Sequence, residues 1–499
     1  MKAFLMYKDH DYDIHRKLPS NEKALTQDLE LNTLFNAMAP GDRFLFDVAR
    51  KAVLSSLNDL DTILYRQNIL QDCVKNSSIV RHIYNIAAES IENKRKHYWG
   101  LSNRYPSSTL HYSREVLKMF VDQLRKLKNI ADEHADRFES EGFIAFFAML
   151  EKELNDEYFG VVQDHLRELK FRNGVLSSAE LGTGNKGTNY MLRKPQDKRQ
   201  NWMERFFDKK PPVYTFRIAD RDEGGARVLS ELKDRGINFV ANALAQSVDH
   251  ILSFFNLLRA ELAFYIGCLN LHEHLAQKGE PMCFPVPVAP GERRHSFNGL
   301  YDVCLALCLK QRVVANDVNA DHKDLAVITG ANQGGKSTFL RSIGLSQLMM
   351  QCGMFTPAES FCCNICEGLF THYKREEDVT MKSGKLDEEL SRMSDIVDNV
   401  TANSLVLFNE SFAATNEREG SEVARQIICA LLEKRIKVFY VTHLYEFAHG
   451  FFEKKIENAI FLRAERQADG GRTFKMIEGA PLQTSYGEDL YNRIFGTDD

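Results

Sequence analysis

One segment constrains this chain more than any other. An apolar stretch, Leu325–Thr329, runs into Gly330-Ala331-Asn332-Gln333-Gly334-Gly335-Lys336-Ser337, with Thr338 next and an apolar helical pattern over 339–350. Glycines at these positions let backbone N–H groups turn toward phosphate oxygens at a helix N-terminus. Lys336 can then reach the β- and γ-phosphates, and the Ser337 hydroxyl can ligate Mg²⁺. Gly330, Asn332, Gly334, Gly335 and Thr338 complete the candidate cradle. With a strand before it and a helix after it, the segment predicts an α/β domain that binds ATP with Mg²⁺.

Two further stretches read as buried parallel strands, 404–408 and 437–442, being short, apolar and rich in β-branched or aromatic residues. The first runs into Asn409-Glu410. A metal-site strand at this point normally closes with Asp-Glu, the Asp supporting Mg²⁺ and the Glu polarising the attacking water. Asn409 can accept a hydrogen bond but brings no charge, which leaves Glu410 as the candidate base. The second ends in Val441-Thr442-His443, and a His there can meet the γ-phosphate or the attacking water. Ser383-Gly384 precedes a helical run over 386–401. A hydroxyl and free N–H groups at a helix N-terminus suit a phosphate, although Ser-Gly is also an ordinary cap.

The amino-terminal half has a different period. Leu31, Leu34, Phe35 and Met38 share a helical face, and 39–42 (Ala-Pro-Gly-Asp) reads as a stop. Helical patterns follow over 59–73 and over much of 113–170. A long helix is predicted from about 237 to 277, where Ile251, Phe255, Leu258, Leu262, Tyr265 and Leu269 form a heptad seam. The 113–170 segment is its expected antiparallel partner. Between them, 171–225 reads as a small β insert of two or three strands. The stretch 167–210 holds eleven Lys/Arg against five Asp/Glu, in a chain with 64 Lys/Arg and 69 Asp/Glu. That reversal makes Lys186, Arg193, Lys194, Lys198 and Arg199 candidate nucleic-acid contacts. Two long helices with a basic tip describe an arm; a compact helical bundle is the alternative.

Three domains are expected: helical 1–112, levers with the insert over 113–278, and an ATPase domain over 279–499, with a Pro/Gly-rich boundary over 279–299. Gly182 to Gly187 formally matches a dinucleotide fingerprint, but a strand pattern follows it, so a hairpin loop is expected. Cys362, Cys363 and Cys366 lack a second pair at zinc-finger spacing and read as buried thiols. No leader is apparent, and the longest apolar run, 143–150, has eight residues where a membrane span needs ~20. With ten unpatterned cysteines, this suggests a cytoplasmic protein with no membrane partner.

These segments, in this order, resemble the MutS ATPases of DNA mismatch repair. "ITGANQGGKSTFLRSIG" and "FTPAES" are similar to the family's phosphate loop and the segment after it. "FTHYKREEDVTMKSGKLDEELSRMSDIV" is similar to its signature region, "SLVLFNESFAATNEREG" to its metal strand and "VTHLYEF" to its His-bearing switch. Val313 to Asp317 resembles the segment ahead of the phosphate loop, and 59–67 echoes the start of the helical core.

The resemblance implies an ABC-like P-loop ATPase domain plus an all-α core and lever domain with a small β insert. It implies that Lys336 and Ser337 hold phosphate and Mg²⁺, Glu410 hydrolyses and His443 senses the γ-phosphate. It also implies that Asn316 borders the base, and that Ser383 and Gly384 complete the site of a partner subunit in a homodimer. Only about 30 residues precede the core-like helices, so a short form without the mismatch-reading domain is expected. The leading expectation is an ATP-dependent clamp on structured DNA, hydrolysing slowly because of Asn409 and acting in repair or recombination. The alternative is an ATP-switched assembly or quality-control factor acting on RNA, a ribosome or a protein. The least specific reading is a nucleotide-binding protein whose basic insert is only a solvated face.

Overall fold

The computed structural model describes residues 1–97, 105–172, 174–194, 214–375, 384–467 and 471–482. The chain forms two compact units. One comprises Met1–Ala3, Arg81–Arg137 and Ala145–Arg259, and the other Phe4–Val80, Phe138–Ile144 and Ala260–Asp499.

The first unit is built on the helix Pro106–His134 and the leading part of the helix Glu223–Gln277. The long helix begins about fourteen residues before its expected start, because Asp222 caps it: the Gly225 N–H donates to Asp222 Oδ1 at 2.9 Å. Gly224, Gly225 and Gly236 obscured this start, being poor helix formers. Gly236 has a packing reason: a Cβ there would lie 3.1 Å from Ser177 Cβ, so the glycine lets a strand approach the helix. Leu110, Ile237 and Ala241 form a small core at this point, and Phe120 packs on Phe255 with ring centroids 5.4 Å apart. The partner is therefore Pro106–His134; the rest of the 113–170 segment breaks into two shorter helices, Glu141–Glu153 and Asp156–Glu168.

The heptad seam is buried throughout, but it changes neighbours. Its carboxyl-terminal half belongs to the second unit, where the Tyr265 hydroxyl donates to the Leu5 carbonyl at 2.5 Å. An 18-residue window of this helix is long and apolar enough to cross a membrane, with mean hydropathy 1.4, yet 72% of it is buried within the protein, as in a core helix.

The insert carries one antiparallel pair, Ser177–Leu181 with Gly187–Leu192. The fingerprint-like glycines form its hairpin loop, with Gly184 at φ +71°. A third strand from 213 is not formed over the described residues 214–219.

The second unit holds two sheets. Six strands lie in the order Arg472–Glu478, Ala459–Arg466, Leu325–Thr329, Lys437–Val441, Leu405–Asn409, Leu369–Tyr373. All neighbours are parallel except the first pair. Strands buried on both faces need apolar residues at every position, and Leu325, Ala326, Val327 and Ile328 supply them. Helices Lys385–Asn399, Glu417–Glu433 and Tyr445–Glu453 cover one face through Met393, Ile428 and Phe447. The helix Lys336–Gln351 is buried almost end to end. Its Gly344 admits Leu407, whose Cδ1 would lie 2.8 Å from a Cβ there.

The Pro/Gly-rich stretch 279–299, where a boundary was expected, carries strands. It contributes Val286–Val288 and His295–Leu300 to a four-stranded mixed sheet completed by Asn316–Asn319 and Ser360–Asn364. Proline and glycine there mark strand ends and bends, including Gly299 at φ +64°.

Candidate functional site

The site gathers where the parallel strands end. Thr329 closes its strand, and the glycine-rich loop leads into the helix that Lys336 opens, with Gly335 at φ +87° as its N-cap. Gly330 is at φ +115°, and a Cβ on it would lie 2.8 Å from the Ala464 amide nitrogen. Both positions therefore favour glycine for torsion, and Gly330 also for room. Lys336 is buried, and its Nζ donates to the carbonyls of Gly330 (3.0 Å) and Ala331 (2.8 Å). Burial, helped by Arg472, pushes its pKa down from 10.5 to about 8, while Glu410 opposes the shift.

Ser337 Oγ donates to Asn409 Oδ1 at 2.9 Å, which joins the loop to the end of the Leu405–Asn409 strand. With its hydrogen so engaged, the Ser337 oxygen keeps lone pairs for a cation, and Asn409 can support a water beside it. A serine hydroxyl with a neutral amide suits Mg²⁺, which is bound by few protein ligands plus phosphate oxygens and water. The Glu410 N–H donates to the Val441 carbonyl at 2.9 Å, which carries the parallel pairing one residue past the strand. Glu410 (φ +54°) and Phe412 (φ +61°) turn the chain sharply. The Tyr440 hydroxyl pins the Ser411 carbonyl at 2.8 Å, and His372 Nδ1 lies 2.7 Å from Ser411 Oγ.

Glu410 Oε1 therefore sits 2.9 Å from His443 Nε2, from the end of the next strand. The carboxylate can only accept, so Nε2 carries the hydrogen. That bond, with the charges of Lys336 and Lys374, holds Glu410 below the usual carboxylate range against burial. Glu410 is ionised and able to take a proton.

A cavity of about 420 Å³ opens on this group. Asn316, Asn332, Gly334, Gly335, Lys336, Ser337, Thr338 and Glu410 line it. Its apolar end is made by Val313 and Val314, from the segment expected beside the base, together with Leu305, Leu309 and Phe474, which the sequence did not single out. Phe474, at φ +60°, faces the loop across Gly335, with its Cβ 3.4 Å from where a Gly335 Cβ would be. Asn316 does line the cavity, but its amide is already spent. Its Nδ2 donates to the Phe474 carbonyl (3.4 Å), and its Oδ1 accepts from Met476 N–H (2.7 Å). It positions the Phe474 segment. No sequence signal links Asn316 to residues about 160 positions away.

Gly384 is the N-cap of Lys385–Asn399 and does not line the cavity. Ser383, Lys198 and Arg199 lie outside the described residues. In the other unit, Lys186 is exposed in the hairpin loop. Arg193 Nε donates to Ser178 Oγ at 2.8 Å, and Lys194 pairs with Glu168 at 3.0 Å while remaining 79% exposed. Arg193 is thus tied to the hairpin, and Lys194 to the end of the helix Asp156–Glu168. An open groove beside it is lined by Tyr105, Tyr190, Met191, Arg235 and Phe239. These aromatics were not part of the sequence reading.

In class, this is a mixed α/β protein whose parallel sheet carries a candidate phosphate-binding site at its carboxyl ends. Residues 58–278 match the MutS2 N-terminal domain and residues 326–493 match MutS domain V. The chain belongs to the MutS family. It is 34% identical over 194 residues to the DNA mismatch repair protein MutS of Alkaliphilus metalliredigens, covering 35% of this chain and 22% of that protein. It is 30% identical over 245 residues to the MutS of Leuconostoc citreum, covering 48% and 28%. For the MutS of Thermus aquaticus the figures are 32% over 178 residues, 36% and 22%. The chain thus spans less than a third of the length of these relatives.

Proposed function

We propose that the chain is a MutS-type ATPase of ABC-like layout that binds ATP with Mg²⁺, hydrolyses it slowly, and acts as an ATP-dependent clamp on structured DNA. The observation that carries the ATPase reading is the cavity lined by Lys336, Ser337 and Glu410, with Asn409 bonded to Ser337 and His443 to Glu410. In this reading the tail of ATP lies along the loop, and Lys336 exchanges its carbonyl partners for phosphate oxygens. The base packs between Phe474 and Leu305, Leu309 and Val314. Ser337, with Asn409 beside it, would hold Mg²⁺, which would supply positive charge at the phosphates. Glu410 orients water and takes its proton, while His443 Nε2–H turns from Glu410 to a phosphate oxygen. Asn409 leaves the metal side one negative charge short, which supports slow turnover.

Two ATPase domains act as a pair in this proposal, with Ser383 and Gly384 completing the partner's site. Glu410→Gln and Ser383→Arg subunits should each be inactive and recover hydrolysis when mixed, since one site of a mixed dimer is then intact. No recovery with mixed dimers present would refute the shared site.

The DNA reading is supported by the local charge reversal, the hairpin and the family membership. A salt-titrated panel of duplex, mismatched, branched and single-stranded DNA and of RNA, with and without ATP, tests it. Binding to branched DNA that weakens steeply with salt is expected. Binding to RNA or ribosomal subunits without affinity for any DNA would instead favour an assembly or quality-control role.

A further inference from the structure

We propose that Arg472 is a second cation for the polyphosphate tail, brought over the phosphate loop by the hairpin of Ala459–Arg466 and Arg472–Glu478 and steadied there by Gln333; this rests on the nucleotide-binding reading above. The hairpin lies directly on the loop. Ala459–Arg466 pairs in parallel with the Leu325–Thr329 strand that feeds the loop. The Ala464 backbone crowds Gly330 so closely that a side chain there would collide, and Phe474 lies within van der Waals reach of Gly335. Arg472 opens the returning strand, opposite Arg466.

Its guanidinium points at the loop. Nη1 donates to Gln333 Oε1 at 3.3 Å, and Gln333 sits at φ +57° inside the glycine-rich segment. Nε is buried and has no hydrogen-bond partner among the described residues, and no ion pair involves Arg472 there. Arg472 is half-buried, and the neutral amide of Gln333 does not compensate its charge. Arg472 also acts on Lys336 as a like charge, depressing its pKa, while Glu410 is the carboxylate that opposes it. Among the described residues these two cations face one loop, and the carboxylate nearest Lys336, Glu410, is already engaged by His443. A phosphate tail supplies an anion for both, and a guanidinium fork fits phosphate oxygens in pairs.

The interaction is electrostatic, so its worth should grow with the number of phosphates. The test measures binding of AMP, ADP and ATP to the full chain by calorimetry, for wild type, Arg472→Gln and Arg472→Lys. Arg472→Gln should weaken ATP by about tenfold or more, ADP by less, and AMP by less than about twofold. Arg472→Lys, which keeps the charge but not the fork, should fall between. If Arg472→Gln does not fold, the same graded loss in Arg472→Lys decides. An equal loss for all three nucleotides would mean that Arg472 only supports the loop, and no loss would remove it from the site; either overturns the proposal. Wild-type protein that binds no ATP would instead defeat the nucleotide reading itself.

Discussion

Raising the pH should weaken ATP binding through Lys336 alone. Burial lowers its pKa to about 8 from 10.5. At about 1.4 kcal/mol per unit, holding its charge in the folded protein costs about 3 kcal/mol, an order-of-magnitude figure. A bound triphosphate sets several negative charges beside Nζ and returns the pKa toward or above its ordinary value. Between the two pKa values, binding must take up a proton. With about 8 for the free site, roughly nine-tenths of the sites are protonated at pH 7 and about 3% at pH 9.5. The dissociation constant should therefore rise about 30-fold across that interval. Calorimetry with a non-hydrolysable ATP analogue, in two buffers of different ionisation enthalpy, reads both quantities. Proton uptake should be near zero at pH 7 and close to one at pH 9.5. Lys336→Arg cannot lose its proton in this range and should flatten the profile. Equal affinities at pH 7 and 9.5, with a buffer-independent enthalpy, would refute the placement of Lys336. The sign for folding is the opposite of the usual lysine case. The unfolded chain keeps this proton to higher pH, so the Lys336 contribution to stability rises with pH between about 8 and 10.5.

Asn409→Asp should restore a charge beside Ser337 and raise Mg²⁺-dependent hydrolysis by about tenfold or more; unchanged turnover at saturating ATP and Mg²⁺ would show that Asn409 does not limit the rate. Glu261 is fully buried, accepts from the N–H groups of Leu5 (2.6 Å) and Tyr12 (3.3 Å), and is pushed by burial to about 7. The folded chain thus holds this proton more tightly, and stability should fall as pH rises from about 4.5 to 7. Glu261→Gln should remove that slope and gain up to about 3 kcal/mol at pH 8, and thermal melts at pH 5 and 8 check it. Charge reversal at Lys186, Arg193 and Lys194 should weaken DNA binding and lower the salt slope by about one for each phosphate left without its cation, with ATP affinity unchanged; equal DNA affinity at every salt concentration would move the interface elsewhere.

Features carried by neighbouring residues were legible in the sequence. The loop from Gly330 to Ser337 needs only eight consecutive residues and their flanks, and its torsions follow from glycine placement. The strands ending at Asn409 and Val441 showed themselves because a strand covered on both faces is apolar at every position. The decoy at Gly182–Gly187 resolved as a hairpin for a similar local reason: the residues after it are strand formers.

Tertiary structure decided whatever depends on distant partners. The heptad seam announced a buried helix face but not what covers it: Phe120 meets Phe255, while Tyr265 bonds to Leu5. Glycines tolerated for close packing hid the start of the long helix, and Pro/Gly at strand ends hid the strands of the four-stranded sheet. Asn316 stood in the right cavity but spends its amide on a strand 160 residues later. Phe474 and Arg472 could not be found from sequence, because an isolated Phe and Arg acquire a role only when the hairpin folds onto the loop. Period and torsion are properties of adjacent residues, whereas a binding site is set by which strand ends the fold brings together.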